Sequence, residues 1–223
     1  MFNVAIIAVM ICGLLLGRLI LRASDALPVM VGYSLERRSM ATDRLFERYA
    51  RYIELGVQVG CALVAGLLWW TLGAGLTFGI VSVVFCLLLL ITLIDLKYRL
   101  VLNLVVYPAL VGALVLHLGL GQPILPFALG GFFAFGIFYL VARIKPGTLG
   151  GGDVKLAALL GVTFGFPNVL GALLVGGGLA AVVAITLLVQ RKNSLTLPYA
   201  PFLCVGALVA LLLNWLPMLA GRG

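Results

Sequence analysis

The chain has 223 residues, of which 64% are hydrophobic and only 10% charged, with 28 glycines and a mean hydropathy of +1.24. That composition excludes a water-soluble domain, because apolar stretches near the ~20 residues needed to cross hydrocarbon recur along the whole sequence. A net charge of +8 would suggest nucleic acid in a soluble protein, but Lys and Arg cluster at alternate gaps between apolar runs, which sets that partner aside.

The first apolar run, Val4 to Leu21, has no basic residue ahead of it and no clear small-residue cleavage site, so it reads as a retained span. Arg18 near its end snorkels to the interface. Residues 22–52 are predicted to form a cytoplasmic loop carrying Arg22, Arg37, Arg38, Arg44, Arg48 and Arg51. Within it, Leu45, Tyr49 and Tyr52 have helical spacing. Anchoring by the positive-inside effect accounts for these arginines; anionic lipid headgroups or an acidic part of a protein substrate are further partners they suit.

Further spans are predicted at Ile53–Leu72, Phe78–Ile94, Val101–Leu118, Ile124–Ala142, Val154–Phe164, Val169–Val189 and Pro201–Leu219. Val154–Phe164 is short and interrupted by Gly161, but omitting it as a crossing would place Arg191 and Lys192 outside. The gaps near Gly73–Gly75, Gly119–Pro123 and Gly165–Asn168 hold no basic residue, whereas Lys97 with Arg99, and Arg143, Lys145 and Lys155, mark the opposite side. The expectation is an all-α polytopic transmembrane helical bundle of about eight membrane segments, one short, with both termini outside. It forms a single domain over residues 1–223, multi-pass in a cytoplasmic membrane. Dense glycine, as in Gly130 and Gly131 or Gly176, Gly177 and Gly178, suits close helix approach. Cys12, Cys61, Cys86 and Cys204 lie singly inside apolar runs, so no zinc quartet or disulfide framework can be read from their spacing.

Only two acidic residues follow Glu54: Asp95 in ITLIDLKYR and Asp153 in LGGGDVKLA. A carboxylate against an apolar run is costly unless it is paired, hydrated or used. Between them the chain crosses outward once and returns once, so both are expected at the cytoplasmic end of the bundle. Asp153 follows Gly150, Gly151 and Gly152 and opens a helix, where free N–H groups and the dipole favour its ionised form; Asp95 closes a helix, where the dipole favours the protonated form. Two such carboxyl groups suit aspartic protease chemistry, one activating water and the other acting on the carbonyl. Taken singly, Asp153 also fits a helix N-cap, and Asp95 an interfacial residue paired with Lys97 or Arg99. Lys97 and Lys155 each stand two residues after an aspartate, where they suit anchoring, a pKa shift or substrate contact. His117 lies at the far end of its span and has no catalytic role in this reading.

At GGGDVKLAALLG, Gly150 to Gly161, the chain resembles the GxGD intramembrane aspartyl proteases, in particular the type IV prepilin peptidases. The resemblance extends to Asp95 with the basic stretch after it, to Asn103 and Pro108, and to LPYAPFLCVGALVAL at Leu197 to Leu211. ICGLLLGRLILRASDALP is a weaker echo of the family's first helix. The resemblance implies a catalytic dyad of Asp95 and Asp153, with Gly150, Gly151 and Gly152 shaping the turn and Lys97, Asn103 and Lys155 as site-shaping or substrate-binding residues. It further implies a prepilin or pseudopilin substrate of type IV pilus or type II secretion systems, cut at the cytoplasmic face with no metal or organic cofactor. Bifunctional members carry a cysteine quartet in the first cytoplasmic loop; residues 22–52 contain no cysteine, which puts methylation of the new substrate amino terminus in doubt. Leu102 stands where the family often has proline. Two other classes compete: a small ion-coupled transporter, disfavoured because all seven acidic residues lie near the cytoplasmic end, and a non-catalytic assembly partner of the same fold.

Overall fold

The computed structural model describes residues 2–32, 40–144, 149–189 and 199–220, which are helical apart from short connections and contain no strand. The helices are α1 (Phe2–Met30), α2 (Met40–Leu72), α3 (Leu76–Tyr98), α4 (Asn103–Gly119), α5 (Ile124–Ile144), α6 (Gly151–Phe164), α7 (Val169–Val189) and α8 (Ala200–Ala220). Arg37, Arg38, Lys145, Arg191 and Lys192 lie outside the described residues.

Among the described residues, five segments are long and apolar enough to cross a membrane: Val4–Met30, Arg51–Leu72, Leu76–Tyr98, Ile124–Ile144 and Val169–Thr186. The protein is a multi-pass helical membrane protein. Its surface agrees, since Phe132, Leu174 and Val189 are each at least 75% exposed, a pattern suited to lipid rather than water. In the region expected as a loop from Arg22 to Tyr52, α1 continues to Met30 where no helix was expected, whereas α2 begins at Met40, in line with the helical spacing of Leu45, Tyr49 and Tyr52. Charge ends a membrane span but not a helix, because Arg and Glu are good helix formers in water.

The chain divides into two compact units, meeting in sequence at Arg99 and Leu100. In the first, α1 lies directly on α2. A Cβ added at Gly13 would stand 2.8 Å from the Ala62 Cα, and one at Gly17 would stand 2.9 Å from the Gln58 Cα. Their four-residue spacing puts both glycines on one face, and backbone contact supplies the dispersion energy that lipid cannot replace by a hydrophobic effect. Ile20, Leu21, Cys61 and Leu93 form a buried cluster among α1, α2 and α3, flanked by Val57, Phe85 and Leu89.

In the second unit α6 is the inner helix. Leu156, Ala157, Leu159 and Leu160 are all buried, and α5 lies against it where Gly161 meets the Gly130 backbone with no room for a side chain. Fourteen residues make α6 about 21 Å long, short of the ~30 Å of hydrocarbon. It survives as a short segment because protein, not lipid, surrounds it.

Candidate active site

The sequence-predicted site residues fall in both units: Asp95 and Lys97 in the first, and Asn103, Gly150, Gly151, Gly152, Asp153 and Lys155 in the second. Each unit carries one of the two late aspartates.

Asp95 sits in the last turn of α3, with its side chain buried. The helix stops immediately beyond it because Arg99 adopts the left-handed region at φ 52°, ψ 45°, and its N–H donates to the Asp95 carbonyl oxygen at 2.8 Å. This single-bond cap usually belongs to glycine, and an L side chain there costs about 1 kcal/mol. Lys97 is also buried, and its ammonium is turned to α1, where it donates to Ser24 Oγ at 2.7 Å and Asp25 Oδ1 at 2.8 Å.

In the second unit the glycine turn is resolved residue by residue. Gly150 is the N-cap of α6, extended at φ −77°, ψ 149°, and Asp153 occupies the third helical position rather than the cap itself. The Asp153 N–H donates to the Gly150 carbonyl at 3.0 Å, while Asp153 Oδ2 accepts from the Gly150 N–H at 3.1 Å. The carboxylate therefore reaches back as a capping-box acid does. The three glycines are not equivalent. A Cβ at Gly151 would meet nothing within 4 Å, one at Gly150 would stand 3.3 Å from Asp153 Oδ2, and one at Gly152 would stand 2.7 Å from the Val101 Cβ.

Asp153 lies just before the apolar stretch of α6 and is half-buried. Burial raises its pKa above the ordinary aspartate value, and the Gly150 hydrogen bond opposes the rise without cancelling it. The expectation that the helix start would favour ionisation thus identified a real effect but not the larger one. Desolvation wins because it acts on the whole charge, while one backbone donor serves one oxygen. Lys155 is directed to α4. Its ammonium donates to Asn103 Oδ1 at 2.9 Å and stands 5.2 Å from the centre of the Tyr107 ring, a cation–π distance. These contacts bring the starts of α4 and α6 to one end of the unit.

Tyr199, at the start of α8, completes that end. Its phenol pKa is raised by burial and by the charge of Asp153, and its ring meets Phe138 edge-on at 5.8 Å. Sequence reasoning included Tyr199, Ser24 and Asp25 only as letters of LPYAPF and ICGLLLGRLILRASDALP, and gave Val101 no part in the site. The one available signal was Asp25, an acid among arginines at the edge of an apolar run. Nothing local identifies its lysine partner, which lies 72 positions away.

Fold and site together define a polytopic helical membrane protein with carboxyl side chains at the ends of two helices. A family model described as the type IV leader peptidase family matches residues 82–185, which include both aspartates and the glycine turn. A prepilin leader peptidase/N-methyltransferase of Pseudomonas putida is 30% identical over 201 residues, covering 86% of this chain and 68% of that protein. No solved structure matches the chain. The chain belongs to the type IV leader peptidase family and is a peptidase.

Proposed function

We propose that this protein is a membrane aspartyl endopeptidase that removes the leader of type IV prepilin-like substrates at the cytoplasmic face, with Asp95 and Asp153 as its catalytic pair. The observation that carries the reading is Asp153: a carboxyl group held at a glycine-led helix start, half-buried, with its pKa pushed up, inside the stretch that matches the leader peptidases. Structural surface caps have no need of a raised pKa, whereas a group exchanging protons with water near neutral pH does.

In the proposed reaction, one aspartate is ionised and takes a proton from water as the water oxygen bonds to the scissile carbonyl carbon. The other is protonated and gives its proton to the carbonyl oxygen. Collapse of the tetrahedral diol breaks the C–N bond: the departing amine takes the proton held by the first aspartate, and a diol hydroxyl returns one to the second. A closely coupled pair stabilises the singly protonated state this needs, because two adjacent carboxylates do not ionise together easily. No metal enters these steps. We assign leader cleavage alone: the relative's name includes an N-methyltransferase activity, but residues 22–52 here lack the cysteine quartet.

The test is co-expression with prepilin-like proteins from the same genome, scored by substrate mass. Cleavage without an added methyl group is expected, and Asp95→Asn or Asp153→Asn should each lower the rate by about 10⁴-fold while membrane insertion persists. Full cleavage by either variant refutes the aspartyl mechanism.

A further inference from the structure

Asp95 and Lys97 share the last turn of α3, and both are buried, at 5% and 4% exposure. Side chains two positions apart on an α-helix leave it about 200° apart, so these two project from nearly opposite faces. The Lys97 face is fastened. Two of the three ammonium hydrogens are committed to α1, one to Ser24 Oγ and one to Asp25 Oδ1. Ser24 is fully buried and its hydroxyl donates in turn to the Leu21 carbonyl at 2.7 Å, which fixes the oxygen lone pair that Lys97 uses. The αL cap at Arg99 holds the backbone of the same turn through the Asp95 carbonyl.

None of Ser24, Asp25 and Lys97 has a part in the proton transfers above. As a purely stabilising device the ion pair is a poor choice, because Lys97 gives up its hydration in a buried site while Asp25 stays half in solvent, which weakens their attraction. What a hydrogen-bonded pair supplies that apolar packing does not is a defined direction. The pair acts on the single turn that carries Asp95. Asp25 is 53% exposed, so its contribution comes from the bond rather than from filling space.

We propose that Ser24, Asp25 and Lys97 are positioning residues of the peptidase: the polar tie from α1 sets the rotation of the last turn of α3 and so aims the Asp95 carboxyl group. This inference rests on Asp95 being catalytic. It makes the first helix part of the active machinery, although the family match begins only at residue 82.

The test uses the full-length protein in detergent, with kcat and KM measured on the folded fraction and Tm measured in parallel. The double variant Lys97→Met with Asp25→Asn removes the tie without stranding a buried charge. It should keep Tm within a few degrees and KM within twofold, while kcat falls at least tenfold. Lys97→Arg, which retains both bonds to α1, should recover most of kcat. Ser24→Ala, which removes one bond, should give an intermediate loss and serves as the reading if the double variant does not fold. Unchanged kcat in the folded variants overturns the proposal. A loss that tracks Tm, or that moves KM equally, overturns it too, because that marks a merely structural pair. Asp95→Asn separates the two levels: if it cleaves, the aspartyl mechanism fails; if it is dead while the tie variants are active, only the positioning role fails.

Discussion

An alanine at Gly152 would place a methyl group 2.7 Å from the Val101 Cβ, whereas one at Gly151, a single residue earlier, would enter open space. Carbon atoms in ordinary contact stand about 3.5–4.0 Å apart, so the Gly152 methyl requires the start of α6 to move by roughly 1 Å away from the segment leading into α4. Overpacking of this kind costs about 1–3 kcal/mol, partly offset by the better helix propensity of alanine, at most about 1 kcal/mol. The larger consequence is positional. Asp153 is the next residue, and a catalytic group misplaced by about 1 Å loses on the order of 10² in rate. Gly152→Ala should therefore cut leader cleavage about 100-fold with the protein still folded, while Gly151→Ala stays within about twofold of the parent and gains up to ~1 kcal/mol of helix stability. Val101→Ala offers no relief, because the clash is with the Val101 Cβ; Val101→Gly in the Gly152→Ala background should restore most activity. The assay is single-turnover cleavage of a prepilin-like substrate, with Tm in detergent to track the folded fraction. Equal activity of the Gly151→Ala and Gly152→Ala variants, at either level, would refute the assignment of unequal roles to the two glycines.

Other predictions concern the same end of the second unit. Gly150→Pro suits the angles already present, φ −77° and ψ 149°, but removes the N–H that bonds Asp153 Oδ2. The limb of the pH–rate profile that Asp153 governs should move to higher pH, and an unmoved profile would show that this bond does not tune the site. The pKa of Asp153 is raised above its ordinary 3.8, so the protonated form favours the folded state at low pH, and this contribution is lost as pH rises through the folded pKa. Asp153→Asn should accordingly be at least as thermostable as the parent at neutral pH, with the difference shrinking on acidification; a variant less stable at neutral pH and relatively better in acid contradicts the sign. Lys155→Met removes an ammonium directed at Asn103 and Tyr107. It should leave both limbs of the pH profile in place, and a shifted limb would mean that Lys155 does tune Asp153.

Much of the architecture was legible in the residues. The seventh span was expected at Val169–Val189, and α7 has those bounds; α5 begins at Ile124 as read. Those ends are abrupt changes of polarity, and transfer from water to hydrocarbon is a local property summed residue by residue. The same reasoning ended the first span before α1 ends and began the second after α2 starts, although it read helical spacing just ahead of it, because it detects where lipid ends rather than where helical hydrogen bonding ends. Asp95 and Asp153 stood out for a related reason: a carboxyl group in an apolar run is costly wherever the chain goes.

What the sequence by itself determined, then, is everything that follows from one residue's cost in one kind of solvent: a multi-pass helical membrane protein, and two aspartates with a glycine turn before the second. The tertiary structure decided what depends on distance between segments far apart in the chain. It sent Lys97 to Ser24 and Asp25 on α1, and Lys155 to Asn103 and Tyr107 on α4. It singled out Gly152, against Val101, from three adjacent glycines, and it let burial outweigh the helix start at Asp153. Pairing, crowding and desolvation are properties of a neighbourhood, and a neighbourhood exists only once the helices have packed.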